Sequence, residues 1–107
     1  MQHALDALVE PRRRDILALV REAELPAGQI AEAFPDVSRP AISQHLKVLR
    51  QAGLVSERRE GTRRLYRLDP AGFASVRSYV DSFWDDRLEL LKTAAEQEER
   101  TTRGRNN

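Results

Sequence analysis

The chain has 107 residues, of which 40% are hydrophobic and 33% are charged, and its formal net charge is +1. This length predicts one compact domain and is too short for two ordinary ones. The absence of cysteine excludes disulfides, thiolate metal sites and thiol nucleophiles. No apolar run approaches the roughly 18 residues that predict a membrane span, and no basic-then-apolar leader opens the chain. We therefore expect a cytoplasmic protein with no membrane partner.

The charges are distributed unevenly along the chain. Residues 1–36 carry a net charge of −3, residues 37–68 a net charge of +6 and residues 69–99 a net charge of −5. Phosphate-binding surfaces need a local concentration of positive charge, whatever the total. The middle third is therefore the candidate nucleic-acid surface.

Three short helices are predicted before this basic segment. Apolar residues at helical spacing predict the first over residues 3–9. Pro11 suits the first turn of the second helix, and Pro26 can open the third. The third ends at Phe34, because a residue that precedes a proline is biased out of helical conformation.

The segment SRPAISQHLKVLRQAGL predicts a fourth helix with defined ends. Ser38 is a good N-cap, and Gly53 is placed to end the helix in a left-handed conformation. Ile42, Leu46 and Leu49 fall on one face and predict the buried stripe.

The next segment, LVSERREGTRRLYRL, predicts a β-hairpin that turns at a glycine. A long helix follows from Gly72, and residues 100–107 have no apolar content, which predicts a disordered tail. The order α-α-α-α-β-β-α predicts a mainly α fold with a small β-hairpin. It is the order of a winged helix-turn-helix, which we expect to form a DNA-binding and dimerisation domain over residues 1–99.

The polar face of the fourth helix is the first candidate site. Arg39, Ser43 and Lys47 are spaced by four, with Gln44 beside them. Arginine, lysine and serine suit phosphate, while glutamine can pair with adenine and arginine with guanine. A solvated face is the alternative, but such a face typically carries Glu–Lys pairs, and residues 37–56 contain no acid. The pattern favours DNA reading.

The tip of the predicted hairpin is the second candidate site. Its sequence, RREGTRR, places four arginines around a glycine turn. Protection of an edge strand against aggregation is the alternative, although mixed charges and lysine would serve that purpose. Four arginines suit phosphate or minor-groove contact better.

The run SRPAISQHLKVLRQAGLV followed by REGTRRLYRLDP resembles the ArsR family of bacterial winged-helix repressors. EPRRRDIL resembles the second helix of that family, and the likeness covers roughly residues 3–95. The resemblance implies a homodimer, joined through the first and last helices, that binds a near-palindromic double-stranded DNA operator and represses transcription. It implies that the recognition helix contacts DNA through Ser38, Arg39, Ser43 and Gln44, and the wing through Arg58, Arg59, Arg63 and Arg64.

The last helix has more large apolar side chains than a domain of this size can cover. Phe73 and Val76 can belong to the domain's own core. We expect later residues, together with residues of the first helix, to meet a second copy of the chain. The predicted dimer interface comprises Leu5, Leu8, Phe83, Trp84, Leu88 and Leu91.

The sequence departs from the metal-sensing members of the family. The resemblance implies a cysteine pair on the third helix of arsenic and cadmium sensors, and Asp and His on the last helix of zinc sensors; neither motif is present. Carboxylates alone suit zinc poorly. The acids on the last helix therefore have two interpretations, a solvated acidic face and a weak site for a hard ion. We expect no metal and no cofactor, and no inducer is identified. This acidic face comprises Asp81, Asp85, Asp86 and Glu89.

No catalytic residues are predicted. The two histidines, His3 and His45, have no evident catalytic partner, and no glycine-rich phosphate loop is present. We interpret His45 as a packed or interface-supporting imidazole, with metal or DNA contact as the alternative. The competing function to DNA binding is a winged-helix module that docks an acidic protein partner.

Overall fold

A computed structural model describes the backbone of residues 2–105 and the side chains of residues 2–84 and 88–101. The described chain divides into two compact units, Met1–Val76 and Arg77–Asn107. The elements in chain order are α1 (Gln2–Val9), α2 (Pro11–Glu22), β1 (Leu25–Pro26), α3 (Ala27–Ala33), α4 (Arg39–Gln51), β2 (Val55–Glu60), β3 (Arg63–Leu68) and α5 (Pro70–Arg105).

The predicted hairpin is part of a three-stranded antiparallel sheet with the order β1-β3-β2. Leu25 pairs with Tyr66 and Pro26 with Leu65, so β1 covers the second edge of β3. The prediction lacked this strand because two residues cannot display an alternating pattern. Proline also has no N–H for the ladder and is confined to such edges.

The core of the first unit lies between the four short helices and the sheet. Each of these elements except β1 contributes residues that are almost fully buried, and Phe73 and Val76 of α5 pack against them. The predicted stripe of α4 is confirmed, since Ile42, Leu46 and Leu49 are at most 2% exposed. The largest fully buried side chains are Ile16, Ile30, Ile42, Leu46, Leu49 and Leu54.

Helix α4 begins and ends where its sequence predicts. The Ser38 hydroxyl accepts a hydrogen bond from the Ala41 amide at 3.2 Å. At the other end Gly53 has φ 77°, and its amide donates to the Arg50 carbonyl while the Leu54 amide donates to that of Leu49, both at 3.0 Å. This pair of bonds is the Schellman motif, which satisfies the last carbonyls of the helix.

The start of α5 is packed closely against the end of α4. Pro70 occupies the first turn of α5, and the Ala71 amide donates to Asp69 Oδ1 at 3.0 Å. A Cβ on Gly72 would overlap the carbonyl group of Gly53. Glycine at position 72 is therefore required for the two backbones to approach.

The arginines of α2 stabilise the junction between α1 and α2. Glu10 Oε2 accepts from the Arg13 amide at 3.0 Å and caps α2. The guanidinium of Arg13 donates to the Ala7 carbonyl at 2.8 Å, and that of Arg14 to the Leu8 carbonyl at 2.6 Å. Cationic donors at a helix C-terminus satisfy its free carbonyls and oppose its negative partial charge.

Helix α5 extends through Arg105, so residues 100–105 are helical where the sequence predicted disorder. Glutamate, glutamine and arginine are strong helix formers, and extending an existing helix requires no new nucleation. The Thr101 hydroxyl also donates to the Gln97 carbonyl at 3.0 Å. The rest of the predicted tail, residues 106–107, lies outside the described residues.

Candidate nucleic-acid interface

The polar face of α4 comprises four side chains without a hydrogen bond or ion pair among the described residues. Arg39, Ser43, Gln44 and Lys47 are all exposed, and no hydrogen bond or ion pair joins their side chains to another described residue. The opposite face of the helix is buried in the core. The fold therefore holds this face rigidly while leaving its donors and acceptors available to a ligand.

Ser38 differs from the other four predicted residues of the recognition helix. Its hydroxyl oxygen is already an acceptor in the cap of α4, at 3.2 Å from the Ala41 nitrogen. The hydroxyl proton remains available as a donor. Ser38 can therefore donate to a phosphate and cap the helix at the same time.

The wing turns in a two-residue loop. Glu60 pairs with Arg63 across the hairpin, and the loop between them consists of Gly61 and Thr62. Gly61 has φ 64°, and no described residue other than glycine has a positive φ. A positive φ at only the first loop residue is the requirement of a type II′ turn, which explains the glycine.

The register of the sheet separates the four wing arginines into two pairs. Arg59 lies directly opposite Arg64, and Arg58 lies opposite Leu65. Because neighbouring residues of a strand point to opposite faces, Arg59 and Arg64 share one face, and Arg58 and Arg63 the other. The four predicted wing arginines therefore lie on both faces of the hairpin, and Arg59 and Arg64 share the face that carries Glu57, which contacts α4. Their contact with DNA stays a prediction.

Arg58 is an anchor of the wing rather than a free cation. Its guanidinium donates to both carboxylate oxygens of Glu24, with Nη2 to Oε1 at 2.6 Å and Nε to Oε2 at 3.0 Å. It also lies 3.2 Å from Glu60. The hydrogen bond from Arg58 lowers the pKa of Glu24, and the same bond raises the pKa of Arg58. Arg58 is thus committed to holding β2 against the segment that precedes β1.

A concave space of about 250 Å³ is lined by residues of α4 and of the sheet. Glu57 lies in its wall and accepts a hydrogen bond from Arg50 Nη1 at 2.8 Å and one from the Tyr66 hydroxyl at 3.3 Å. Arg64 Nε lies 3.8 Å from the same carboxylate. Burial, followed by the charge of Glu57, raises the pKa of Tyr66, so its hydroxyl stays protonated as a donor. The lining residues are Ala27, Ser43, Leu46, Lys47, Arg50, Glu57, Arg64 and Tyr66.

Arg50, Glu57 and Tyr66 are site residues that sequence reasoning missed. Arg50 follows Lys47 by three positions, so helical spacing alone could have placed it on the edge of the polar face. Glu57 carries no such signal, because its contact with α4 depends on how the sheet packs.

The second unit presents a broad apolar surface on α5. The ring centroids of Tyr79 and Phe83 are 5.0 Å apart at an interplanar angle of 89°, an edge-to-face pair. At 3.6 residues per turn the exposed apolar side chains cover about half of the circumference of the helix. Those of the predicted interface are Phe83, Trp84, Leu88 and Leu91, each 59–61% exposed, and the surface also includes Tyr79, Val80 and Leu90.

The two predicted interface residues of α1, Leu5 and Leu8, are half-buried in the first unit, while Val9 is 73% exposed. Leu8 packs against the core of its own unit. The structure thus assigns part of the Leu8 side chain to the monomer's own core.

Metal-ligating geometry is absent from the described residues, which hold no cluster of three His, Cys, Asp or Glu side chains. Asp81 lies 3.6 Å from Arg77, and the side chains of Asp85 and Asp86 lie outside the described residues. His45 is half-buried, and its Nδ1 is enclosed without a hydrogen-bond partner in this part of the chain. Within residues 2–105, no helix is long and apolar enough to cross a membrane.

The comparisons with known proteins match this architecture. The sequence model of the arsR family of bacterial regulatory proteins matches residues 10–57. The HTH-type transcriptional regulator Rv2034 of Mycobacterium tuberculosis is 49% identical over 81 residues, which are 76% of this chain and 75% of that protein. The chain belongs to the ArsR family.

This ArsR-family chain is also similar to the transcriptional repressor SdpR of Bacillus subtilis. The two are 43% identical over 61 residues, which are 57% of this chain and 67% of that protein. A solved structure from Mycobacterium bovis is also similar to this chain. It is a homodimeric winged helix-turn-helix DNA-binding domain, described as a possible ArsR-family transcriptional regulator. The match has a TM-score of 0.63 and 33% sequence identity, and it covers 78% of this chain and 77% of the Mycobacterium bovis chain. Family membership confirms the predicted fold and the prediction of a transcriptional regulator rather than an enzyme.

Proposed function

We propose that this ArsR-family chain is a homodimeric, sequence-specific repressor that binds a near-palindromic DNA operator. Helix α4 enters the major groove and reads bases through Gln44 and Arg39, with Ser38, Ser43 and Lys47 on phosphates. The observation that carries the proposal is the exposed polar face of α4, whose side chains have no partner in the described residues. Such a face, backed by a rigid core, is what direct readout requires.

The wing supplies the contacts that do not depend on sequence. Arg59 and Arg64 share the sheet face that packs toward α4, and we assign them to phosphates of the same DNA segment. Arg63 lies on the opposite face beside the turn and is assigned to the flanking backbone or minor groove. Arg58 takes part indirectly, through its ion pair with Glu24.

Dimerisation completes the binding unit. The exposed apolar side chains of α5, with Leu5 and Leu8 of α1, form the proposed interface between two copies of the chain. A two-fold axis then sets the two α4 helices about 34 Å apart, one turn of DNA. The homodimeric Mycobacterium bovis domain supports this assembly, and SdpR, named a repressor, supports the direction of regulation. We place its action in the cytoplasm, with its DNA target, and assign it no cofactor, no metal and no membrane partner.

The test is selection from a random DNA library, followed by footprinting on the region upstream of the protein's own gene. We expect one enriched near-palindrome, protection of that sequence upstream of the gene, and higher reporter expression when the gene is deleted. Failure to enrich any sequence would reject the proposal.

The docking-module alternative predicts a different response to salt. A protein that replaces counterions on DNA loses affinity linearly in the logarithm of salt concentration, with a slope set by the number of phosphate contacts. DNA binding that is weak, unspecific and abolished at physiological salt would favour an acidic protein partner instead.

A further inference from the structure

One carboxylate lies within the surface that we assign to DNA. Glu57 shares its sheet face with Arg59 and Arg64 and lines the space below α4 with Ser43 and Lys47. Its side chain is 15% exposed, whereas those of Arg50 and Arg64 are 47% and 53% exposed. The carboxylate therefore lies beneath two guanidinium groups that reach solvent.

An acid at this position opposes DNA binding if charge alone is considered, because it repels phosphate. Its contacts indicate a compensating role. Glu57 accepts from Arg50 at 2.8 Å and from the Tyr66 hydroxyl at 3.3 Å, and Arg64 Nε lies 3.8 Å away. Its contacts therefore link side chains of α4 and β3 to β2.

The guanidinium groups retain capacity for DNA while they contact Glu57. Each has five N–H donors in a planar fork, and the described contacts engage one nitrogen of Arg50 and one of Arg64. The other nitrogens of these two groups make no hydrogen bond or ion pair with a described residue, and about half of each side chain is exposed. The Glu57 carboxylate therefore restricts the rotamers of both arginines while leaving most of their N–H donors available to DNA. It also offsets the repulsion between the two cations.

We propose that Glu57 is a positioning residue for operator recognition, which acts through Arg50 and Arg64 and fixes the wing relative to α4. The inference rests on the proposed function. Sequence-specific binding requires α4 and the wing to contact the DNA in one register, whereas binding to arbitrary DNA requires only positive charge. Glu57 therefore lowers affinity for random DNA and raises affinity for the operator.

The test compares Glu57→Gln and Glu57→Ala with a matched control, Glu60→Gln. Glu60 is an exposed acid of the same strand whose described ion pair is with Arg58, so its variant removes an equal charge without altering the contacts of Glu57. The probes are the duplex recovered by selection with the unaltered protein and a scrambled duplex of the same length and composition. Binding to both is measured over a salt series, and folding is checked by thermal unfolding.

We expect Glu57→Ala to lose about tenfold in affinity for the selected duplex, the size of one good charge-assisted contact, while binding to the scrambled duplex stays equal or tightens. Glu57→Gln keeps an acceptor oxygen and should show a smaller loss of the same kind. Glu60→Gln should tighten binding to both duplexes equally. In an Arg50→Ala/Arg64→Ala background, the added loss from Glu57→Ala should largely disappear, because Glu57 acts through those two residues.

Other outcomes overturn the inference. Equal losses on both duplexes, equal gains like those of Glu60→Gln, or unchanged selectivity would assign Glu57 to stability or to general electrostatics. Unfolding of both Glu57 variants would do the same. If selection with the unaltered protein enriches no sequence, the proposed function itself fails, and the inference fails with it.

Discussion

Arg58 and Glu24, 34 positions apart in the sequence, form a two-pronged ion pair with Nη2 2.6 Å from Oε1 and Nε 3.0 Å from Oε2. The pair crosses the central strand β3 and joins β2 to the segment before β1. A residue that its sequence context assigns to DNA is thus part of the wing's own support.

The first prediction concerns the pH dependence of this pair. The hydrogen bond with Arg58 lowers the Glu24 pKa from its ordinary value of 4.5. The stabilisation of the folded protein by this ion pair is therefore fully present above pH 4.5. It is lost as the pH falls from 4.5 through the lowered pKa, because the protonated acid no longer pairs with Arg58. Thermal unfolding should therefore find Glu24→Gln less stable than the unaltered protein at neutral pH, with the difference vanishing in strong acid. A difference that grows in acid would contradict this.

The second prediction concerns the contact between α4 and α5. Gly72→Ala adds a Cβ that overlaps the Gly53 carbonyl, so the backbones must separate, and overpacking of this kind costs about 1–3 kcal/mol of unfolding free energy. Gly28→Ala is the control, since a Cβ there meets nothing within 4 Å. Gly28 lies in α3, so its variant should be neutral or stabilised by up to about 1 kcal/mol. Chemical denaturation measures both, and equal stabilities for the two variants would refute the requirement for glycine at position 72.

The third prediction separates base reading from phosphate contact. Gln44→Ala should cost about 1–3 kcal/mol at one base position of each half-site and leave the salt slope unchanged. Arg63→Ala should weaken binding to specific and scrambled DNA alike and reduce the salt slope by about 1.

The control for the third prediction is Gln51→Ala, which removes the same type of exposed side chain from the last position of α4. Binding of each variant to a set of single-base substitutions of the selected duplex measures the effect. If Gln44→Ala binds every duplex as the Gln51→Ala control does, the polar face of α4 does not read bases.

The fourth prediction concerns assembly. Phe83 and Leu91 are 61% and 59% exposed on α5, and burying such side chains drives association. Replacing both with glutamate should yield monomers with strongly reduced operator affinity, because the two half-site contacts are then no longer linked. Ser78→Glu, at an exposed polar position of α5, should remain dimeric. Sedimentation decides both, and an unaltered protein that is monomeric at micromolar concentration would reject the dimer.

The fifth prediction concerns metal ions. The chain has no cysteine, and its last helix has no histidine. Zinc, nickel and arsenite should therefore leave operator affinity unchanged within error, because these ions prefer thiolate or clustered imidazole ligands and the described residues hold no such cluster. Stoichiometric tight binding that releases DNA would point to a site built on His3 or His45.

The sequence by itself determined the elements whose signals are local. The cap at Ser38, the left-handed stop at Gly53 and the apolar stripe of α4 each depend on residues within a few positions, so spacing predicts them. The polar face follows directly, because a helix with one buried face must expose the other. The family resemblance, carried by the same runs of residues, extended this to a winged helix-turn-helix regulator.

Only the tertiary structure decided which charged side chains form ion pairs within the protein. Arg58 and Arg59 are neighbours with the same side chain, yet pairing along the sheet turns them to opposite faces, and Glu24 then engages one of them. Glu57 becomes part of the surface that we propose for DNA only because β2 packs beside α4. Ion pairs between residues distant in the chain leave no periodic trace in the sequence, since their geometry arises when separate elements are packed together.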